Sequence, residues 1–289
     1  MKKINILYTL TAPVSHIGET ASTGSYFQTI QTSNGRIPVI TGNSVRGTLR
    51  DCAALHLMQF IKDPVDKEVF NVLFSGGNIS GATKNDVERA KKIREHFPMV
   101  SLFGAGLGTM IMSGNLLSGF LYPVCIETEN FTSIQSDISW HDCIDEIDFT
   151  RFDDTKKDSN LEYIADIDEE KKAKASTQMR FGVQYMAAGT QFAQEIILID
   201  GTTDIEEGAL YTAVKKWFEV PVLGGMKSKG FGKFTAESDE ISVDENGVRL
   251  SENAENKIRL YEDFLKSDVP ANWIDLLKAE VKKGGKTAD

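Results

Sequence analysis

Two amphipathic helical stretches set among strand-like segments constrain this chain more than any other feature of its sequence. In "TGNSVRGTLRDCAALHLMQFI" (41–61), Val45, Leu49, Ala53, Leu57 and Ile61 recur every fourth residue, and Cys52, His56 and Phe60 widen the stripe. Thr41 or Asn43 is placed to cap this helix. In "TDIEEGALYTAVKKWFEV" (203–220), Leu210, Val214 and Trp217 fall in register, and Trp217 and Phe218 belong to the core. Ahead of the first helix, residues 4–12 alternate as a strand, Ile4, Ile6 and Tyr8 opposing Asn5, Leu7 and Thr9. Residues 110–127 read as one long strand or two short ones, with bends at Gly114 and Gly119. Residues 179–199 are strand-rich, and their second half is apolar on both faces and hence central. A last strand begins at Phe231.

Strand, helix, strand, strand, helix, strand is the split βαβ order. It predicts an α+β fold with a ferredoxin-like (RRM-like) βαββαβ core carrying large insertions. At 289 residues, one elaborated domain over 1–289 fits better than two domains. The insertions are a helical one over 63–105, around "KNDVERAKKIREHF", and a polar, acidic, protruding arm over 128–177. A helical tail closes the chain over 253–282. The stretch "SHIGETASTGSYFQTIQTSNGR", between the first strand and the first helix, reads as a long polar loop.

Composition excludes several classes. No apolar run approaches the length of about 20 residues needed for a membrane span. The lysines and apolar run at the N-terminus lack a small-residue cleavage site, so "INILYTL" is a strand rather than a leader. Cys52, Cys125 and Cys143 are odd in number and widely spaced, which points to reduced thiols in a cytoplasm. His16, His56, His96 and His141 show no metal-ligand spacing, and no metal or cofactor is expected. The formal net charge of −10 speaks against nucleic acid as a whole-molecule property. The acids crowd into 127–170 and 237–263, however, leaving two short stretches basic.

The first basic stretch is the helix start "TGNSVRGTLR". Arg46 and Arg50 lie four apart, on a face set opposite the apolar stripe. Asn43, Ser44 and Arg46 occupy the first turn, where free backbone N–H groups and the helix dipole favour a phosphate. Gly47 costs a helix about 1 kcal/mol relative to alanine, which suggests that something approaches the backbone there. The alternative is a capped helix with two solvated arginines. The second stretch is "VLGGMKSKGFGKF" (222–234), in which four glycines surround Lys227, Ser228 and Lys229. Glycines let N–H groups converge on an anion, and the lysines add charge. The bland alternative is a flexible turn. Walker A spacing is absent, and "GAGLG" (104–108) lacks the strand-to-helix setting of a dinucleotide fingerprint. On a ferredoxin-like core the sheet brings the helix start and the loop before the last strand together. Arg46, Arg50, Lys227 and Lys229 then line one groove suited to reading a nucleic-acid backbone.

These residues carry a family resemblance. "RIPVITGNSVRGTLRDC" resembles the I-P-x-x-x-G-x-S-[LV]-[KR]-G-x-[LI]-R helix start of the RAMP superfamily of CRISPR-Cas systems. "LGGMKSKGFGKF" resembles its G-G-x-x-S-x-G-x-G loop, "YMAAGTQFAQEI" its central strand, and "SHIGE" its S-x-x-H-I-G motif. The single core with a mid-chain arm is similar to the backbone subunits, the seventh Cas family. The resemblance implies a subunit that polymerises along a guide RNA with copies of itself and other Cas subunits, in a prokaryotic cytoplasm. Base pairing through the guide would select the target nucleic acid. It implies guide contacts by Asn43, Ser44, Arg46 and Arg50 and by Lys227, Ser228 and Lys229, with His16 and Lys233 as secondary positions. It also implies that the 128–177 arm is a thumb over the neighbouring subunit, with Gln178, Met179 and Arg180 against a displaced base. Type III backbone subunits cut target RNA with an aspartate in the loop after strand one. Residues 17–34 contain none, and Glu19 is their only acid. The stretch "HFPMVSLFGAGLGTMIMSG" resembles the type IV branch, so a non-catalytic subunit is expected, with type III second. A metal-dependent ribonuclease and a phosphate-binding small-molecule enzyme on the same core are the rival readings. His16 as a general base is set against a histidine satisfied by backbone contacts.

Overall fold

A computed structural model describes residues 1–20, 24–62, 64–80, 86–151, 179–267 and 276–278. The chain opens with strand β1 (Lys2–Leu10), then four short strands, β2 (Ile17–Thr20), β3 (Gly24–Phe27), β4 (Thr29–Thr32) and β5 (Gly35–Pro38). Helix α1 (Gly42–Ile61) and helix α2 (Lys67–Ser75) follow, then β6 (Gly77–Ile79), α3 (Val87–His96) and α4 (Pro98–Phe103). Four more short strands come next: β7 (Ala105–Gly108), β8 (Met110–Met112), β9 (Leu116–Ser118) and β10 (Tyr122–Pro123). After the single-turn α5 (Glu129–Thr132) the long strands β11 (Ile144–Arg151), β12 (Met179–Met186) and β13 (Gln191–Leu198) are laid down. Helix α6 (Asp204–Phe218), β14 (Phe234–Glu237), β15 (Ile241–Asp244), β16 (Gly247–Leu250) and α7 (Glu252–Ser267) complete the fold. It is a mixed α+β architecture with several sheets.

The central sheet runs β10–β13–β1–β14–β15–β16, with β9 also on β13, and every pairing in it is antiparallel. Helices α1 and α6 cover one face, and α7 packs behind α6. Ile4, Ile6, Tyr8 and Leu10 of β1 point to that side, in the alternation expected. Tyr8, Trp217, Phe218 and Phe234 form an aromatic cluster there, Tyr8 edge-on to Phe234 at 5.2 Å and Trp217 edge-on to it at 5.3 Å. The Tyr8 hydroxyl donates to Gln194 (2.8 Å), whose amide donates to the Gly119 carbonyl (3.0 Å), so these two buried polar side chains are paired. Helix α6 starts on a reciprocal capping box between Thr203 and Glu206.

Three expectations change. The segment after β1 is not a loop: β2 and β3 join a second sheet, β11–β12–β3–β2, through a parallel β12–β3 contact, and β4 and β5 form a hairpin. For β3 the deciding partner lies more than 150 residues away and no local pattern announces it, whereas β2–β3 and β4–β5 pair locally. Residues 110–127 break into three short strands because Gly114 and Gly119 press against other backbone. A Cβ on Gly114 would lie 2.3 Å from the Leu102 carbonyl oxygen, and one on Gly119 2.7 Å from that of Glu195. Strand β13 is central, yet its residues alternate between buried and half-exposed, so only one face is covered.

Candidate nucleic-acid interface

The N-terminus of α1 is built from three contacts. Thr41 is the N-cap, its hydroxyl accepting from the Ser44 amide. The Thr41 amide donates to Nε2 of His16 (3.2 Å), and the Thr41 hydroxyl lies 3.3 Å from the same nitrogen. Gly42 lies against the Ser118 and Gly119 carbonyls, where a Cβ would fall 2.1 Å from the Ser118 oxygen. Gly47, by contrast, has no atom within 4 Å of its notional Cβ and is exposed. Asn43 is exposed and Ser44 half-buried beside it.

The glycine loop is anchored from the same place. The Gly225 amide donates to the Ser15 carbonyl (2.7 Å), and the Gly232 amide donates to Pro13 (2.7 Å). The dipeptide Ser15–His16 therefore holds the loop with its first residue and the helix cap with its second. Lys227–Lys229 make one 3-10 turn, all three exposed, entered through Met226 at φ 58° and left through Gly230 at φ 86°. Lys227 lies within electrostatic reach of Asp51 and Cys52 on α1. Burial raises both of their pKa values, the Cys52 thiol to about 11, and the lysine opposes the shift. The loop thus lies along the third turn of α1, on the side of Asp51 and Cys52.

The arginines do not behave as a solvated pair. Arg50 is buried and donates to the carbonyl oxygens of Phe103 (2.6 Å), Gly104 (3.1 Å) and Val72 (3.4 Å). Burial, with Arg46 nearby, lowers its pKa to about 10. Arg46 is half-buried and also donates to the Phe103 carbonyl. The expectation of a face opposite the apolar stripe fails because the stretch ending at Gly104 packs there and offers bare carbonyls. Lys233 is exposed, while its backbone carbonyl accepts from Thr11 and Ala12. Burial lowers the pKa of His16, whose ring packs edge-on to Phe27, so the neutral form accepts from Thr41. That is the backbone-satisfied histidine, engaged in holding the cap.

Gln178 lies outside the described residues, and Met179 and Arg180 begin β12. Glu19 falls within β2, opposite Tyr26. Sequence reasoning missed an aromatic group next to the loop. Phe149 pairs with Phe181 across β11–β12 and stacks on it at 5.6 Å, and Phe231 stands edge-on to Tyr185 at 6.2 Å. The Lys229 ammonium sits over this group, 4.2 Å from the Phe149 ring and 4.8 Å from the Phe181 ring. Phe181 and Tyr185, four apart on one strand, were legible as a face; Phe149 was hidden in an acidic run. "GAGLG" runs from a helix into a strand, the reverse of the dinucleotide setting. Among the described residues, no three His, Cys, Asp or Glu gather as a metal-binding group.

The model of the RAMP superfamily matches residues 7–235, a span that includes all four motifs. No curated protein sequence matches the chain. A solved chain described as "Type IV-B CRISPR Complex" is similar in fold, with a TM-score of 0.59 at 16% identity, covering 82% of this chain and 90% of that one. The family match extends over most of the sequence, and the chain belongs to the RAMP superfamily.

Proposed function

We propose that this protein is a non-catalytic, guide-RNA-binding backbone subunit of a type IV-like CRISPR effector, polymerising along the guide and presenting it for pairing with a target nucleic acid. The observation that carries the reading is the Ser15–His16 junction, which anchors both the glycine loop that bears Lys227–Lys229 and the cap of α1. Exposed Asn43 on one element and exposed Lys227, Ser228 and Lys229 on the other supply donors and positive charge for a strand of phosphates, a sequence-independent arrangement. The core is read as ferredoxin-like. Its strand order β14–β1–β13–β9/β10, with α1 and α6 on one face, supports that assignment. Copies of the subunit and other Cas proteins are the partners, the 128–177 arm is the thumb, and a prokaryotic cytoplasm is the setting. Guide contacts are assigned to Asn43, Ser44, Lys227, Ser228 and Lys229, with Lys233 at the edge. Arg46 and Arg50 serve by holding α1 in place. The fold of the type IV-B chain supports the type IV placement.

The test is the mass and the 260/280 absorbance ratio of the protein with and without guide RNA, for wild type and Lys227→Ala/Lys229→Ala. A large RNA-bearing assembly is expected for wild type. Filter binding of guide RNA over a salt series should show the slope of log affinity against log salt shrinking by about 1.4 in the variant, the value for two phosphate contacts on a single strand. A nucleic-acid-free monomer indifferent to guide would overturn the reading.

A further inference from the structure

The face of the central sheet turned away from the helices carries an open cleft of about 960 Å³. One cross-strand row forms its floor: Tyr122 pairs with Ala193, Ala193 with Leu7, and Leu7 with Glu237. Paired residues of an antiparallel ladder share a face, so the row crosses four strands. At ordinary strand spacing its aromatic and carboxylate ends stand about 14 Å apart. At the aromatic end Tyr122 stacks on Phe131 (5.6 Å) and lies 6.2 Å from Phe120, while Phe120, Phe131 and Leu117 are exposed. At the other end Asp239 joins Glu237; both are exposed, and among the described residues neither has an ion-pair partner. Glu195, on the floor between them, is held by Lys3 at 2.7 Å.

The lining therefore combines three carboxylates with exposed aromatic and aliphatic surface and contains no lysine or arginine. Phosphates would meet repulsion here. A cationic side chain would meet two unpaired carboxylates, and an apolar one would cover the rings. We propose that this cleft docks a partner polypeptide as an extended segment, with an arginine or lysine against Glu237 and Asp239 and an apolar or aromatic side chain against Tyr122 and Phe131. About four extended residues span the row, which fits the spacing of the two ends. Charge complementarity selects polypeptide over nucleic acid. The inference does not depend on guide binding, because this face is separate from the Lys227–Lys229 surface.

The probes are fluorescein-labelled eight-residue peptides in which a Leu-Tyr pair and an arginine are four residues apart, a glutamate counterpart, and a single-stranded oligouridine. Each is titrated against the guide-free 289-residue chain by fluorescence anisotropy. The arginine peptide should bind and the glutamate peptide should not. Glu237→Lys/Asp239→Lys should weaken binding about tenfold, and Phe131→Ser about threefold. Glu252→Lys/Glu255→Lys on α7, which changes net charge equally, should leave it unchanged. Circular dichroism checks that each variant is folded; Phe131→Ser keeps the test open if the charge reversal is not. Equal loss in the α7 variant would reduce the effect to net charge and overturn the proposal. Oligouridine binding that falls in Phe131→Ser would make the face a nucleic-acid surface. Self-association in sedimentation that Glu237→Lys/Asp239→Lys abolishes would make a second copy the occupant. Either result also overturns it.

Discussion

Single glycines in the basic loop do different jobs. A Cβ on Gly232 would lie 2.0 Å from the Leu223 carbonyl oxygen, and one on Gly224 2.3 Å from that of Ser15, both at positive φ. These two serve the approach of the chain to itself and not to a ligand, which corrects the expectation that all four glycines make room for an anion. Gly232→Ala is expected to cost about 2–4 kcal/mol in urea unfolding. Gly225, with its nearest atom at 3.7 Å, should accept alanine within about 0.5 kcal/mol. Gly47 separates stability from binding most cleanly. Its surroundings are open, so Gly47→Ala should stabilise the free protein by about 1 kcal/mol. If RNA approaches the helix there, the same change should lower guide affinity in filter binding.

At the scale of elements, α1 is held at its cap and again at Arg50. Arg50 ties it to the Phe103–Gly104 carbonyls, so Arg50→Ala removes the side-chain donor to Gly104 and leaves Phe103 to Arg46 alone. A loss of about 3 kcal/mol is expected in urea unfolding, with guide affinity per folded molecule preserved. That outcome would separate Arg50 from Lys227 and Lys229. His16 fixes the cap. Its folded-state pKa lies below the unfolded value of about 6.5, so the unfolded state binds more protons as pH falls. The stability it contributes is fully present above that value and is lost as pH falls from it through the lower folded-state pKa. His56, lowered by burial, acts with the same sign. Urea midpoints should fall between pH 7.5 and 5.5, and His16→Asn should flatten that dependence. The depressed carboxylates Glu127 and Glu240 act only at lower pH.

For the whole molecule, a net charge of −10 coexists with the exposed Lys227–Lys229 turn, so on the proposed reading assembly should follow the guide and not nonspecific charge. Light scattering of guide-bound protein is expected to rise in steps with guide length. Lys227→Glu/Lys229→Glu should return the protomer mass. Much of the frame was legible from periodicity. The stripes of α1 and α6, the alternation of β1 and the cap at Thr41 follow from short-range rules, because helix and strand periods are written in neighbouring residues. The motifs also marked the two elements of the candidate interface. What the sequence by itself could not determine was how distant segments meet. The β12–β3 pairing, the burial of Arg50 against carbonyls, the Lys229 contact with Phe149 and Phe181, and the acidic-aromatic row across four strands each join residues far apart in the chain. Local pattern sets which face of an element is apolar, and only tertiary packing decides what that face, or the polar one opposite, comes to touch.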